Sequence, residues 1–397
     1  MTDTTRILLV APTGRGKTVA GKRIVSTAYD DGWTPVHFSD VKNDFQSISY
    51  AGGASKQMIE TMGLIDGEEP HRVPRKLFQP KFLVDDYRNG KPSYIEQFTL
   101  GFEDITKSDL MFLLDFNSEP QEQVFDNLLG DLSIEDENFI SLKSKLDDVE
   151  IEYTNNLKGP IKRTLNSLEN SKILASNLRK NPFNYIECWE CHDCDEFVWK
   201  EDKGEHELNN HDLEEKRAVI SLSLKHYDNY TYGDEEKFQF YVAVLMRNFI
   251  KEIRRGNIEG PFILYGDEFH EVAGRDTGNL VKKYFQKILD IAGRQADIAT
   301  ILSTQRPSKL PYPQSSDPYD FVGDTTHMFI GEGLNPVDWR KAVNSTNLYG
   351  QGDKEKWRKK INDLNQYEFL YVNPEKHDDV EDCPVVKFYS PLVRHTG

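Results

Sequence analysis

The chain has 397 residues and carries 49 Lys and Arg against 66 Asp and Glu, a formal net charge of −17. That length holds a full enzymatic core plus an inserted module. The acidity excludes a uniformly basic nucleic-acid coat, so any contact with nucleic acid must be a local patch or a channel lining.

The mean hydropathy of −0.64 is polar for a globular chain, but 38% hydrophobic residues are enough for a core. No apolar run reaches the about 20 residues that cross a bilayer. The first residues show no charged leader ahead of a long apolar stretch, so they read as a strand rather than a signal peptide. The expected location is the cytoplasm or a virion. Three of the four Cys fall between residues 188 and 194, the crowding of metal ligands and not of a disulfide framework.

In chain order, Arg6 to Ala11 reads as a buried strand, because Ile7 to Val10 are continuously apolar. Lys17 to Tyr29 reads as a helix, and "WTPVHFSDVKND" as a second strand ending at Asp40. "KLFQPKFL" is a candidate strand. "SDLMFLLDF", "PQEQVFDNLL", "SLKSKLDDVEIEY" and "IKRTLNSLENSKILASNL" read as helices. A Cys-, Trp- and acid-rich segment starts at Asn181, after which "AVISLSLK" resumes as a strand. "EKFQFYVAVLMRNFIKEIRRG" is a long amphipathic helix closed by Gly256. "GPFILYGDEFHE" is a strand running into acids, "GNLVKKYFQKILDIAGRQ" a helix, and "IATILSTQRPSKLP" a strand breaking into a Pro-rich loop. "HMFIGE", a helix near "DKEKWRKKINDL" and a hairpin of "EFLYVN" with "VVKFYS" complete the chain.

Strands alternating with helices predict an α/β core around a mostly parallel sheet. The expected organisation is a first core part over 1–60 and a mixed, largely helical insertion over 61–180. A metal-binding insertion over 181–213 follows, then a second core part with a C-terminal hairpin over 214–397.

Between the first strand and helix lies "APTGRGKT". Gly16, Lys17 and Thr18 fit the end of the phosphate-binding pattern G-x-x-x-x-G-K-[ST], with Ala11 at the first glycine position. Backbone N–H groups from Gly14 through Arg15 to Thr18 would surround phosphate oxygens where the helix dipole favours anions. Lys17 would reach the β- and γ-phosphates and Thr18 would offer its hydroxyl to Mg²⁺. Hydrolysis also needs carboxylates from another strand. "FILYGDEFHE" supplies Asp267 for the metal and Glu268 for the attacking water; Glu271 competes for the second role, and His270 reads as a packed side chain. At the end of "ILSTQ", Gln305 is placed to sense the γ-phosphate or the water. Arg294 and Arg306 are both candidates for an arginine acting on a neighbouring subunit's nucleotide.

These blocks, in this order, resemble the HerA/FtsK superfamily of P-loop ATPases. The resemblance runs through "APTGRGKT", "VHFSDVKND", "VISLSLK", "ILYGDEFHEVAG" and "AGRQADIATILSTQRPSKLP", over about residues 5–60 and 215–375. It implies a RecA-like core, a homohexameric ring with ATP sites between neighbours, and double-stranded DNA driven through the centre. By position it makes Lys17 and Thr18 nucleotide ligands, Asp267 and Glu268 the metal and water carboxylates, and Gln305 the sensor. Arg294, in "GR", takes the trans-acting place ahead of Arg306. With the phosphate loop starting at residue 11, the resemblance is to compact packaging or assembly ATPases. Both a DNA substrate and a protein substrate during virion assembly are consistent with it, as is a slow nucleotide-dependent switch. Lys282, Lys283 and Lys287, or Lys354, Lys356, Arg358, Lys359 and Lys360, would face DNA in a ring bore or form solvated helix faces.

"ECWECHDCDEFVWKEDKGEHELNNHD" is a separate signal. Cys191-x₂-Cys194, eleven residues, then His206-x₄-His211 has the spacing of a two-Cys, two-His zinc finger, with Trp189 and Phe197 as its small core. A rival set starts from Cys188. About thirty polar residues cannot bury a core unaided, and a bound Zn²⁺ substitutes for one. The module's acidic surface points to docking of a protein partner.

Overall fold

The computed structural model describes residues 5–40, 45–49, 53–83, 95–114, 116, 118–130, 132–148, 155–175, 179–223, 234–275, 279–292, 296–311, 319–344, 348 and 354–395. In chain order the strands are β1 (Arg6–Val10), β2 (Thr34–Asp40), β3 (Arg75–Pro80), β4 (Ile95–Phe98), β5 (Glu187–Cys191), β6 (Glu196–Trp199), β7 (Leu213–Arg217) and β8 (Val219–Ser223). They continue as β9 (Phe262–Gly266), β10 (Ile298–Thr304), β11 (His327–Gly331), β12 (Glu368–Val372) and β13 (Val385–Lys387).

Among the described residues, ten of these form one sheet in the order β13-β12-β11-β1-β10-β9-β2-β8-β3-β4. From β11 to β4 every pair is parallel; of the ten strands only β12 runs the other way, and the C-terminal hairpin returns β13 to the common direction. This is the mostly parallel α/β core that the strand–helix alternation predicts. β3 and β4 extend the sheet from within the 61–180 span, and helices take over that span from Lys107 onward.

The continuous apolar runs follow from burial on both faces. In β1, Leu8 and Val10 face one side and Ile7 and Leu9 the other, because successive side chains alternate. The first side is covered by α8 (Asp234–Arg255) and α10 (Asn279–Ile291), through Phe238, Tyr241, Phe249, Val281, Phe285 and Ile288. The second is covered by α1 (Lys17–Asp30), through Ile24, Val25 and Ala28. Each such aliphatic or aromatic side chain contributes about 1.5–3 kcal/mol when fully buried. Four helices, α3 (Lys107–Leu114), α4 (Glu119–Leu128), α5 (Phe139–Asp148) and α6 (Asn155–Asn170), close round Leu110, Phe125, Leu142 and Leu165, in one apolar cluster with the α8 side of the sheet.

β5, β6 and β7 form a separate antiparallel sheet with β5 in the middle. It sits at the N-terminal ends of the parallel strands, because β7 runs into β8 after Ala218 alone. Arg217 donates to Thr34 Oγ1 at the start of β2 and to Gly260 O just before β9. Arg72, three residues ahead of β3, pairs with Glu190 and Asp195 and lies over the Phe197 ring.

Candidate active site

Register decides which residues meet at the other end of the sheet. β10 lies between β1 and β9, with Val10 level with Thr304 and Leu302 level with Gly266. All three strands therefore stop on one rim, and the segments that follow them must converge. Those segments are the Ala11–Gly16 loop, Gln305 and the Asp267–Glu268 pair.

In the first loop, Gly14 and Gly16 take φ of +81° and +93°, and Gly16 caps α1. A β-carbon at Gly16 would lie 2.5 Å from Tyr367 Cδ1, so space as well as backbone angle demands glycine there. Ala11, at the other glycine position of the pattern, is fully buried at the end of β1. Tyr367, itself at φ +67°, and its neighbour Gln366 roof the loop from the turn before β12. Gln366 Nε2 donates to Gly14 O at 3.1 Å. Arg15 pairs with Glu332, just past β11, at 2.6 Å. Neither roofing residue carries a local sequence signal; only the hairpin's place beside β11 brings them there.

The acidic turn is suspended between two strands. Asp267 N–H donates to Ser39 O of β2, and Phe269 N–H to Ser303 O of β10. Glu268, between them, is forced to φ +42°, an angle a non-glycine residue adopts only at a cost of about 1–3 kcal/mol. That conformation aims its carboxylate at the loop. Lys17 Nζ lies 2.6 Å from Glu268 Oε1, with both residues nearly sealed from solvent at 5% and 3% exposure. Gln305 holds the same carboxylate twice, its backbone N–H donating to Oε2 at 3.1 Å and its Nε2 to Oε1 at 2.5 Å. A buried ion pair survives desolvation only when further hydrogen bonds support it, and Gln305 supplies them.

Asp267 is also buried and accepts from Ser303 Oγ at 3.1 Å. His270 Nδ1 sits 2.9 Å from Thr304 Oγ1 and 3.5 Å from Glu268 Oε2, which makes it part of the network and not simply a packed ring. Glu271 faces the opposite ring nitrogen of His270 at 3.3 Å. That hydrogen bond holds its carboxyl below the usual range. Thr18 occupies the first turn of α1, partly exposed.

Lys17, Glu268, Asp267 and Gln305 are thus gathered on one rim with Gly14, Arg15, Gly16 and Thr18. Arg306 follows Gln305 directly and is exposed. Arg294 lies outside the described residues. Lys282 is buried, whereas Lys283, Lys287, Lys354, Lys356, Arg358 and Lys359 are exposed. On the opposite rim, Cys191, Cys194, His206 and His211 lie together, and Cys188 is apart from them.

No protein-family model and no curated protein matches the chain. Among solved structures it is similar to VirB4 of Thermoanaerobacter pseudethanolicus, with a TM-score of 0.56 at 9% identity over 97% of this chain and 89% of that one. It also aligns with the bacterial conjugative coupling protein TrwBdeltaN70 (TM-score 0.47, 10% identity, 99% and 86% of the two chains). A third is the genome packaging NTPase B204 from Sulfolobus turreted icosahedral virus 2 in complex with ATP-gammaS (TM-score 0.24, 16% identity, 45% and 70%). The chain has the fold of VirB4: the RecA-like P-loop core that the sequence motifs predict.

Proposed function

We propose that the chain is an ATP-driven motor that hydrolyses ATP with Mg²⁺ and moves double-stranded DNA, working as a homohexameric ring. The observation that carries this reading is the 2.6 Å contact of Lys17 with Glu268, made across two intervening strand spacings and braced by Gln305. It joins a phosphate-binding lysine to a carboxylate in one water-poor site, as hydrolysis requires.

The loop suits a triphosphate. Its backbone turns through two positive-φ glycines into the N-terminus of a 14-residue helix, and a β-carbon at Gly14 would meet nothing within 4 Å. Thr18 Oγ1 and the Asp267 carboxylate would hold Mg²⁺, which when bound supplies charge neutralisation at the β- and γ-phosphates. The chain's own residues do the rest. Lys17 exchanges Glu268 for phosphate oxygens. Glu268, freed from that pair but still held by Gln305, orients water and accepts its proton as the γ-phosphate is attacked. Ser303 keeps Asp267 in place, and His270 backs the second oxygen of Glu268.

Arg306 supports the assembly. It lies beside the network and is exposed, the position from which a neighbour's nucleotide would be reached. Exposed Lys354, Lys356, Arg358 and Lys359 on α12 (Lys354–Asn362), the densest basic run of an acidic chain, would meet DNA phosphates, although Lys356 also faces Asp379 at 3.7 Å. One measurement tests the reading: the ATPase rate with and without double-stranded DNA, together with particle mass in solution. Stimulation by DNA in a hexamer-sized particle is expected. Hydrolysis indifferent to DNA assigns the motor to a protein substrate, and no hydrolysis at all removes it.

A further inference from the structure

The Cys/His constellation on the other rim is independent of the nucleotide reading. Cys191 closes β5, Cys194 lies in the β5–β6 turn, His206 is on α7 (Lys203–Leu208), and His211 precedes β7. One ligand atom from each lies within 4.8 Å of all the others. Both histidines turn the same nitrogen inward. The Nδ1 atoms are 3.1 Å apart, Cys194 Sγ is 3.3 Å from His211 Nδ1 and 4.0 Å from His206 Nδ1, and Cys191 Sγ is 3.5 Å from His211 Nδ1. A tetrahedral ion with bonds of about 2.3 Å to sulfur and about 2.0 Å to nitrogen needs edges of about 3.3 Å between nitrogens and about 3.6 Å between sulfur and nitrogen. Four of the six edges are close to these lengths, and the other two lie within 4.8 Å.

The surroundings point to the same ligand. His206 presents its other nitrogen to Glu196 Oε1 at 3.8 Å, the outer carboxylate that orients many metal-bound imidazoles. The six-residue α7 has no buried side chain, and its one large apolar residue, Leu208, is 85% exposed. A helix that short does not persist in water on its own hydrogen bonds. Apart from the Lys203 ammonium over the Trp189 ring at 4.1 Å, the group that ties α7 inward is His206. Cys188 is excluded from the set. Three positions before Cys191 on a strand, it points to the opposite face, is fully buried and donates to Lys216 O.

We infer that Cys191, Cys194, His206 and His211 bind one structural Zn²⁺ that fixes α7 and the β7 entry to the β5–β6 hairpin. Two soft sulfurs and two imidazole nitrogens suit Zn²⁺ and not Mg²⁺ or Ca²⁺. Four protein ligands leave no open position, so the ion is structural. Its binding releases the two thiol protons to solvent, and both cysteines ligate as thiolates.

The test uses the full chain purified with zinc supplied. Elemental analysis is expected to give one zinc per chain, and Co²⁺ exchange to give the d–d and thiolate charge-transfer bands of a tetrahedral two-sulfur site. Cys194→Ser and His211→Ala, both away from the main core, are expected to lose the metal, and Cys188→Ala to keep it. Should a ligand variant fail to fold, the cobalt spectrum of the unaltered chain still reports the donor set. A folded wild-type chain that stays zinc-free overturns the proposal. So does a spectrum without thiolate bands, or loss of zinc from Cys188→Ala but not from Cys194→Ser.

Discussion

The two rims of the central sheet are built on opposite principles. At the C-terminal rim, Lys17, Glu268, Asp267 and Ser303 are buried charged or polar groups that hold one another, and strand register delivers them there. At the N-terminal rim, α7 buries nothing; the small sheet is fastened by Cys188 and Trp199 in the main core and by Arg72 and Arg217, and the four-residue Cys/His cluster lies at its edge. The first rim takes its geometry from the apolar core, and the proposed function turns that geometry to chemistry. At the second, the proposed Zn²⁺ would fix the one element, α7, that buries nothing. Shape-keeping changes at the first should therefore alter the reaction more than the fold, and damage to the second should change local order and spare the reaction.

The largest expected effect lies at the catalytic rim. Lys17→Ala should lower ATP hydrolysis on the order of 10³-fold, as loss of one preorganised charge contact does. It should also cost stability, because Glu268 remains buried with Gln305 as a neutral donor, where breaking a buried pair costs about 3–5 kcal/mol. Glu268→Gln separates the two consequences. The amide keeps the shape, hydrolysis falls by about 10²–10⁴-fold, and nucleotide binding tightens, since Lys17 no longer has a carboxylate to leave. Steady-state hydrolysis and titration calorimetry check both variants. A Gln variant that turns over normally, or binds ATP more weakly, breaks this side of the comparison.

Next in size is metal removal. Removing the proposed Zn²⁺ with a zinc-selective chelator, in excess Mg²⁺, should raise proteolysis and amide exchange across residues 187–217 while ATP turnover stays within about 2-fold, the scale on which distant sites act independently. Equal loss on both rims would mean that the small sheet props the core strands it enters, through β7 and Arg217.

How far each rim could be read from sequence follows from the same contrast. β1, β9 and β10 are legible because strands buried on both faces must be continuously apolar, and the residues that end them are the polar ones the proposed reaction uses. The Cys/His spacing is legible because the proposed metal would impose distances along the chain. Strand order is not: nothing in "ILSTQ" says that it lies between the other two strands. Nor does anything in "NQYEF" say that Gln366 and Tyr367 cover a loop some 350 positions earlier. That Glu268 and not Glu271 meets Lys17 also waited on the fold, since it goes with one left-handed backbone angle that "GDEFHE" does not announce. Likewise the choice of Cys191 over Cys188 came from strand alternation.

That roof gives a smaller effect at the catalytic rim. Gln366→Ala removes the hydrogen bond to Gly14 O at the exposed edge of the loop, worth about 0.5–1.5 kcal/mol. The apparent KM for ATP should rise by up to about 10-fold with kcat nearly unchanged, because Gln366 touches the loop and not the carboxylate. A fall in kcat at constant KM would instead make the roof part of the reaction step.

The smallest effect belongs to the other rim and carries a sign. His71 Nε2 lies 3.0 Å from Asp30 Oδ1, next to the Arg72 clasp, and that contact raises the imidazole above its ordinary value against a lesser desolvation. A raised folded value means that protonated His71 stabilises the fold fully below about pH 6.5, the unfolded value, and that this contribution disappears as pH climbs through the folded value. Both partners are partly exposed, so the contribution is screened and stays below about 1 kcal/mol. Melting temperature followed from pH 5.5 to 8.5 should show a shallow extra decline in the wild type that His71→Gln lacks. The two proteins should have superimposable pH–rate profiles for ATP hydrolysis, because no step of the reaction passes through that rim. A pH–rate profile that moves with His71 would couple the two ends of the sheet and undo the separation on which the larger predictions rest.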